Sequence, residues 1–247
     1  MKNFLIALQF LTILPVNIKS EIKSQDFGKS LLYFPLVGVL IGLFLSAVSL
    51  TWHFLPQVVS SALIILASII ISGAIHLDGF ADTCDGFYGA RTKAKMLEIM
   101  RDSHIGVMGV SAIACVLLLK FSLILAIQKN FLSTTLILMT ASSRWSQSFA
   151  CSISNYARRN GKAKYFIEYA RKKDFFMGTL FIIGLFLLLM KLKGLIVLAT
   201  FIPLIFLCIN YLRKRIGGMT GDTIGATNEI AEVLILLICL FYQRLII

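Results

Sequence analysis

The residues best equipped for chemistry are concentrated between His76 and Gly109, in HLDGFADTCDGFYGARTKAKMLEIMRDSHIGVMG. Asp78, Asp82, Asp85, Glu98 and Asp102 lie there, five of the 12 acids in a chain that is 58% hydrophobic. An acid at the mouth of an apolar segment is costly unless something compensates it. Asp78, Asp82 and Asp85 stand at i, i+4 and i+7, so on a helix they share one face within roughly 60° of arc. Three carboxylates on one stripe repel each other at neutral pH. A divalent cation converts that repulsion into binding. Every ligand on the stripe is an oxygen, with no Cys or His, which favours Mg²⁺ or Mn²⁺ over Zn²⁺. Gly79 and Gly86 leave room for a bulky ligand near the backbone, and the planar fork of Arg91 can hold a phosphate. The plain alternative is a solvated acidic loop. The crowding of acids among Gly79, Gly86, Gly89, Gly106 and Gly109 favours a site.

A second constellation runs from Gly217 to Glu232, GGMTGDTIGATNEIAE. Gly217, Gly218, Gly221 and Gly225 surround Asp222, and Asn228, Glu229 and Glu232 follow. Glycines at a helix entrance let backbone N–H groups face a phosphate. Thr220 and Thr223 add hydroxyl donors. Asp222 as an ordinary helix cap would account for the turn but not for Glu229 and Glu232 at the start of an apolar helix. Oxygen-ligated metal, a nearby arginine and a glycine-rich anion site together point to phosphoryl-group transfer, with metal clamping phosphoryl oxygens and a base taking a hydroxyl proton.

Four further groups bear on this chemistry. Arg144 sits near the middle of an apolar segment, where it is expected to face the bundle interior and neutralise an acid or a phosphate. Lys120 can either do the same or snorkel outward. His76 can act as general base or phosphate donor, and His104 flanks the acidic block on the other side. The five cysteines, Cys84, Cys115, Cys151, Cys208 and Cys239, show neither zinc-ligand nor disulfide spacing and read as small core residues.

The elements that must position these groups are membrane spans. The chain has 247 residues, only 15% of them charged, and a mean hydropathy of +0.86. That is too apolar for a soluble domain. Phe4 to Leu14 is too short to span; it predicts a short helix at the interface, with Lys2 resembling a signal-peptide start but no A-x-A-like site following. Asn17 to Lys29 reads as polar loop. Spans are predicted at Leu31–Trp52, Val58–Ile75, Val107–Ile127, Phe131–Ile153, Phe175–Met190, Gly194–Tyr211 and from Glu229 or somewhat earlier to Phe241. Gly38 and Gly42 have the small-xxx-small spacing of close helix packing. Asn155 to Asp174 is a long basic loop. The expectation is an all-α, polytopic bundle of about seven transmembrane helices plus the short N-terminal helix, forming one domain over residues 1–247.

The net charge of +12 suggests nucleic acid in a soluble protein. Here the positive-inside rule accounts for it. With the N-terminus in the cytoplasm, only Lys129, Lys191, Lys193 and Arg244 lie outside, and Lys120 and Arg144 lie within spans. The remaining 18 of the 24 Lys and Arg fall inside, together with both motif blocks.

HLDGFADTCDG, then AR, then LEIMRDS-I-G, with GGMTGDTIGATNEIAE near the C-terminus, resemble the cobalamin synthase family, the adenosylcobinamide-GDP ribazoletransferases. The likeness runs nearly end to end. It departs at Ile13 and His104, where the family commonly has Arg. Asp82, Asp85, Gly86, Ala90 and Arg91 also resemble, with one extra residue, the D-x2-D-G-x2-A-R motif of CDP-alcohol phosphotransferases. The resemblance implies that a hydroxyl of α-ribazole, or of its 5′-phosphate, attacks adenosylcobinamide-GDP to give adenosylcobalamin or its 5′-phosphate and GMP. It places the reaction at the cytoplasmic face of the bacterial cytoplasmic membrane, in contact with lipid and with no nucleic acid partner. The expected metal ligands, for Mg²⁺ or Mn²⁺ by chemistry, are Asp78, Asp82, Asp85 and Asp102, closed by Asp222 and Glu229. The base is open among His76, Asp102 and Glu232. Substrate contacts are expected from Arg91, Arg101, Ser103, Arg144, Gly218, Thr220, Gly221, Thr223 and Asn228. A lipid-directed CDP-alcohol phosphotransferase and a divalent-cation transporter are the alternatives. The HLDGFAD prefix argues against the first. The gathering of the acids on one face argues against the second.

Overall fold

The computed structural model describes every residue except Lys162 and Ile247, and the side chains of residues 244–246 are likewise outside the description. Lys162 and Arg244, two members of the charge asymmetry, therefore fall outside the described residues or side chains. The described elements are α1 (Lys2–Leu11), α2 (Ser24–Ser30), α3 (Phe34–Ser49), α4 (Gln57–Ser72), α5 (Ile75–Gly89) and α6 (Lys93–Ile99). They continue as α7 (Val107–Ala126), α8 (Lys129–Ile153), α9 (Lys164–Glu168), α10 (Lys172–Met190), α11 (Lys193–Ile216) and α12 (Gly221–Ile246). Among the described residues the one β-type pairing is an isolated bridge between Tyr156 and Met219.

Five helical segments are long and apolar enough to cross a bilayer: Ser24–His53, Val107–Ala126, Lys172–Met190, Lys193–Ile216 and Gly221–Gln243. α4 and α5 make a sixth if taken together, but they are bent by 90° at Gly73 and Ala74. Gly73 (φ +60°) and Ala74 (φ +57°) are both left-handed there, a conformation that costs a non-glycine residue about 1 kcal/mol. Helices thus occupy all seven predicted segments. α8, at 25 residues, is long enough to cross, but its second half, TASSRWSQS, is too polar for an ordinary span. It survives because it is the buried centre of the bundle. Gly38 and Gly42 of α3 let α8 approach closely: a Cβ on Gly42 would lie 2.5 Å from Ile137 Cα. Several of its hydroxyls bond its own backbone, Ser146 donating to the Ser142 carbonyl at 2.8 Å and Thr140 to that of Leu136 at 2.9 Å. α12 and α10 cover the other sides. Leu36, Leu40, Leu66, Leu118, Leu188 and Leu207 are exposed on the outer helices, as lipid-facing surface requires. The protein is an all-α, multi-pass membrane protein.

Two segments expected to be irregular are helical. Ser24–Ser30 forms α2, begun by Asp26, whose carboxylate accepts from the Lys23 N–H at 2.9 Å and pairs with Lys2 at 2.6 Å. Capping chemistry outweighed its polar composition. The basic loop contains α9, whose Phe166 is buried against Phe10 and Phe34. α1 ends at Leu11 rather than reaching Leu14. Ile13 then donates its N–H to the Ile71 carbonyl at 2.9 Å, tying the N-terminal segment to the α4–α5 bend.

Candidate functional site

The two motif blocks meet where α5 crosses the start of α12. Gly79 makes the crossing possible: a Cβ there would lie 2.8 Å from the Asp222 backbone, and one on Gly225 would lie 3.2 Å from the His76 carbonyl. Asp78, Asp82 and Asp222 come near enough to repel one another as charges. The counter-charge is Arg158, whose guanidinium bonds Asp222 at 2.8 Å and the Met100 carbonyl at 3.2 Å. Arg158 is aimed by the loop before it. Met219 donates to the Asn155 carbonyl at 2.8 Å and Ala157 donates to that of Met219 at 2.9 Å. Gly218, at φ +155°, permits that pairing, because a Cβ there would lie 2.6 Å from the Asn155 carbonyl oxygen.

These groups border a cavity of about 310 Å³. Asp78, Arg158 and Asp222 line its polar side, with His76 and Gln147 deeper and Phe10, Phe34 and Phe166 forming an apolar wall. Three polar atoms of lining residues are buried without a partner: His76 Nδ1, Gln147 Oε1 and Arg158 Nε. Buried polar atoms in proteins are ordinarily satisfied, so an unpartnered set around one cavity is what a ligand site leaves.

The expected six-carboxylate metal set is not assembled. Among the described residues no three His, Cys, Asp or Glu side chains form a group able to hold one ion. Asp85 has turned away from its stripe: its carboxylate accepts from the Gly106 N–H at 2.7 Å and the Gly109 N–H at 2.8 Å, capping α7. Asp102 is exposed on the loop before α7. Its carboxylate accepts from the His104 N–H at 3.0 Å and meets the His104 ring at 2.7 Å. Those contacts hold it below the usual carboxylate range, which makes it a poor base. Glu229 and Glu232 lie about two and nearly three turns deeper, roughly 10 and 15 Å beyond Asp222 along α12, and are committed elsewhere. Lys120 bonds Glu229 at 2.5 Å and Glu232 at 2.6 Å, and Arg144 pairs with Glu232. Lys120 therefore does not snorkel; it is 4% exposed. Arg144 faces inward and neutralises an acid, as its position required. Asn228 serves the same cluster, donating to Glu229 at 3.2 Å and Glu232 at 3.1 Å.

The hydroxyls of Thr220 and Thr223 are likewise occupied. Thr223 Oγ1 accepts from the Thr220 N–H at 2.8 Å and Thr220 Oγ1 from the Thr223 N–H at 3.3 Å, a reciprocal cap on α12. Gly221 lines the cavity, whereas Gly218 serves the loop pairing. Arg91, Arg101 and Ser103 are exposed, and Arg91 has no hydrogen bond or ion pair among the described residues. Sequence reasoning passed over Gln147, Tyr156, Arg158 and the Phe10–Phe34–Phe166 wall. For Gln147 a signal existed: a lone amide inside a span is costly unless its donors and acceptor find partners.

Comparison with known proteins follows this geometry. The family model described as cobalamin-5-phosphate synthase matches residues 3–240. An adenosylcobinamide-GDP ribazoletransferase of Clostridium botulinum (strain Okra) is 37% identical over 97% of this chain and 98% of its own length. Relatives of the same name from Acetivibrio thermocellus (35%, over 98% of both chains) and Desulfitobacterium hafniense (37%, over 96% of both) are similar throughout. No solved structure matches. With both motif blocks joined in one site and the match running from end to end, the chain belongs to the cobalamin-5-phosphate synthase family.

Proposed function

We propose that this transferase moves the cobinamide-phosphate group of adenosylcobinamide-GDP to α-ribazole or α-ribazole 5′-phosphate and releases GMP, at the cytoplasmic face of the membrane. The observation that carries the reading is end-to-end similarity to relatives named for that activity, with the shared blocks converging on one cavity. A ribose hydroxyl oxygen forms the new bond to the phosphorus of the cobinamide phosphate. The bond from that phosphorus to the GMP oxygen breaks, and GMP leaves with the electron pair. The hydroxyl proton passes to a base, and of the three candidates His76, Asp102 and Glu232 only His76 is in the cavity lining. Arg158 is placed to meet phosphate charge beside Asp222.

Mg²⁺ suits the carboxylates present. It is usually held by one or two carboxylates together with substrate phosphates and water, not by a full protein cage. Asp78 or Asp82 on α5 and Asp222 on α12 would supply one or two carboxylates to it, with substrate phosphates and water completing its shell. When bound it would offset charge on the phosphoryl oxygens. Incubating purified protein with Mg²⁺, α-ribazole and either adenosylcobinamide-GDP or a CDP-alcohol tests the assignment. GMP release with the first alone is expected. CMP release from the second, or no monophosphate from either, would overturn it.

A further inference from the structure

We infer that the 310 Å³ cavity is the seat of the acceptor nucleoside, with Gln147 Oε1 as a pre-set hydrogen-bond acceptor for its sugar and the Phe10–Phe34–Phe166 wall as the seat of its base. The inference rests on the transferase reading and specifies where one of its two substrates binds.

The orientation of Gln147 follows from the buried charges. Lys120 stands between Glu229 and Glu232 at 2.5 and 2.6 Å, so both carboxylates are ionised and can only accept. Asn228 lies 3.2 and 3.1 Å from them and must present its NH₂ group. Its carbonyl then faces Gln147, which must donate from Nε2, at 3.2 Å. That leaves Gln147 Oε1 on the far side of the amide, buried and without a partner, in a residue that lines the cavity. The amide cannot flip to hide it without setting two acceptors, Gln147 Oε1 and Asn228 Oδ1, face to face. A ligand that brings a hydroxyl or N–H there is matched, and one that brings a lone pair is refused. His76 Nδ1 is the second unpartnered atom of the same lining.

Size and polarity select the ligand. About 310 Å³ accommodates a nucleoside and is too small for a corrinoid, so the bulk of the donor must stay outside. The apolar part of the lining is aromatic: Phe10 and Phe166 ring centres are 4.4 Å apart, and Phe34 lies 5.6 Å from Phe166. Such a wall stacks a planar base but offers nothing to the exocyclic amine and carbonyl of guanine. It fits an apolar bicyclic base such as the benzimidazole of ribazole, with the ribose hydroxyls turned to Gln147 and His76. The donor phosphates then lie at the Asp78–Arg158–Asp222 side.

Steady-state GMP release by the full-length protein in detergent tests this. For Gln147→Leu, the KM for α-ribazole should rise about tenfold or more, the cost of one unmet buried hydrogen bond, with the KM for adenosylcobinamide-GDP within about twofold. A rise in the donor KM instead would place the guanosine in this cavity and overturn the proposal, as would no change in either. Wild-type protein supplies a control independent of folding. Binding of radiolabelled α-ribazole should be displaced by unlabelled benzimidazole riboside and not by guanosine. Displacement by guanosine would sink the idea. Saturable α-ribazole binding without any GMP release would leave the cavity assignment standing and overturn the transferase reading.

Discussion

At the scale of single residues, carboxylates that look equivalent in the sequence have been given different work. Asp82 faces Asp78 and Asp222, while Asp85, one turn on, satisfies the first N–H groups of α7. Asp82→Asn should therefore cut GMP release by orders of magnitude while leaving thermal stability in detergent nearly unchanged. Asp85→Ala should cost about 1–2 kcal/mol of stability through the lost cap, read as a lower unfolding midpoint. The reverse pattern would return Asp85 to the site. The i, i+4, i+7 stripe was legible because helix periodicity was enough to find it. Which member turned toward α7 was not, since that depends on a helix 21 residues downstream arriving beside it. Lys120 makes the same point. From sequence its long side chain had two outcomes, and only the arrival of Glu229 and Glu232 from α12 decided between them. Lys120→Met should leave two buried carboxylates with Arg144 alone, a loss of about 3–5 kcal/mol by analogy with broken buried pairs. Adding Glu229→Gln should restore much of it, measured as the recovery of monodisperse protein on gel filtration.

At the scale of elements, the site exists because α5 leaves the line of α4 and lies across the start of α12. The sequence showed a span running straight into an acidic motif; the 90° turn between them was hidden in Gly73 and Ala74, since a left-handed pair has no periodicity to read. The crossing itself depends on a missing side chain at Gly79. Gly79→Leu would drive a side chain into the Asp222 backbone, 2.8 Å from even its Cβ. Activity should be lost because Asp78 and Asp82 part from Asp222, while membrane insertion persists because the long spans are untouched. Normal GMP release by Gly79→Leu would show that the two blocks need not touch. Ala74→Gly offers the opposite sign: relieving a left-handed alanine should raise the unfolding midpoint, by the equivalent of about 1 kcal/mol. α8 was legible as a segment but not in its role. Hydropathy alone places its serines and Arg144 in an expensive setting. The structure makes the setting affordable by surrounding α8 with α3, α10 and α12 and pairing Arg144 with Glu232.

For the whole molecule, the arrangement of ends decides whether the site can meet its substrates. The C-terminal end of α8, the start of α12, α5 and α9 all gather at the cavity, so they lie on one side of the membrane. The basic residues near that end include Arg158, Arg159, Lys164, Arg213, Lys214 and Arg215, and α1 adds Lys2. At the opposite end, Lys129 stacks over the Trp52 ring at 4.4 Å, an aromatic-cation pair of the kind that marks a bilayer interface. Lysines and arginines concentrate on the cytoplasmic side of membrane proteins, so the proposed orientation has the cavity on that side and Trp52 outside. α10 and α11 supply the check. They are joined at Met190–Lys193, at the end remote from the site, and α11 returns to Gly217 beside it. A periplasm-active reporter fused after Lys193 should therefore be active, and one fused after Arg215 inactive. Shortening the comparison to this single hairpin avoids the α4–α5 bend and α8, the elements whose crossing is least ordinary. The opposite reporter pattern would put the cavity outside the cell, away from cytoplasmic nucleotides, and the transferase reading would then have to explain how its GDP-activated donor reaches the site.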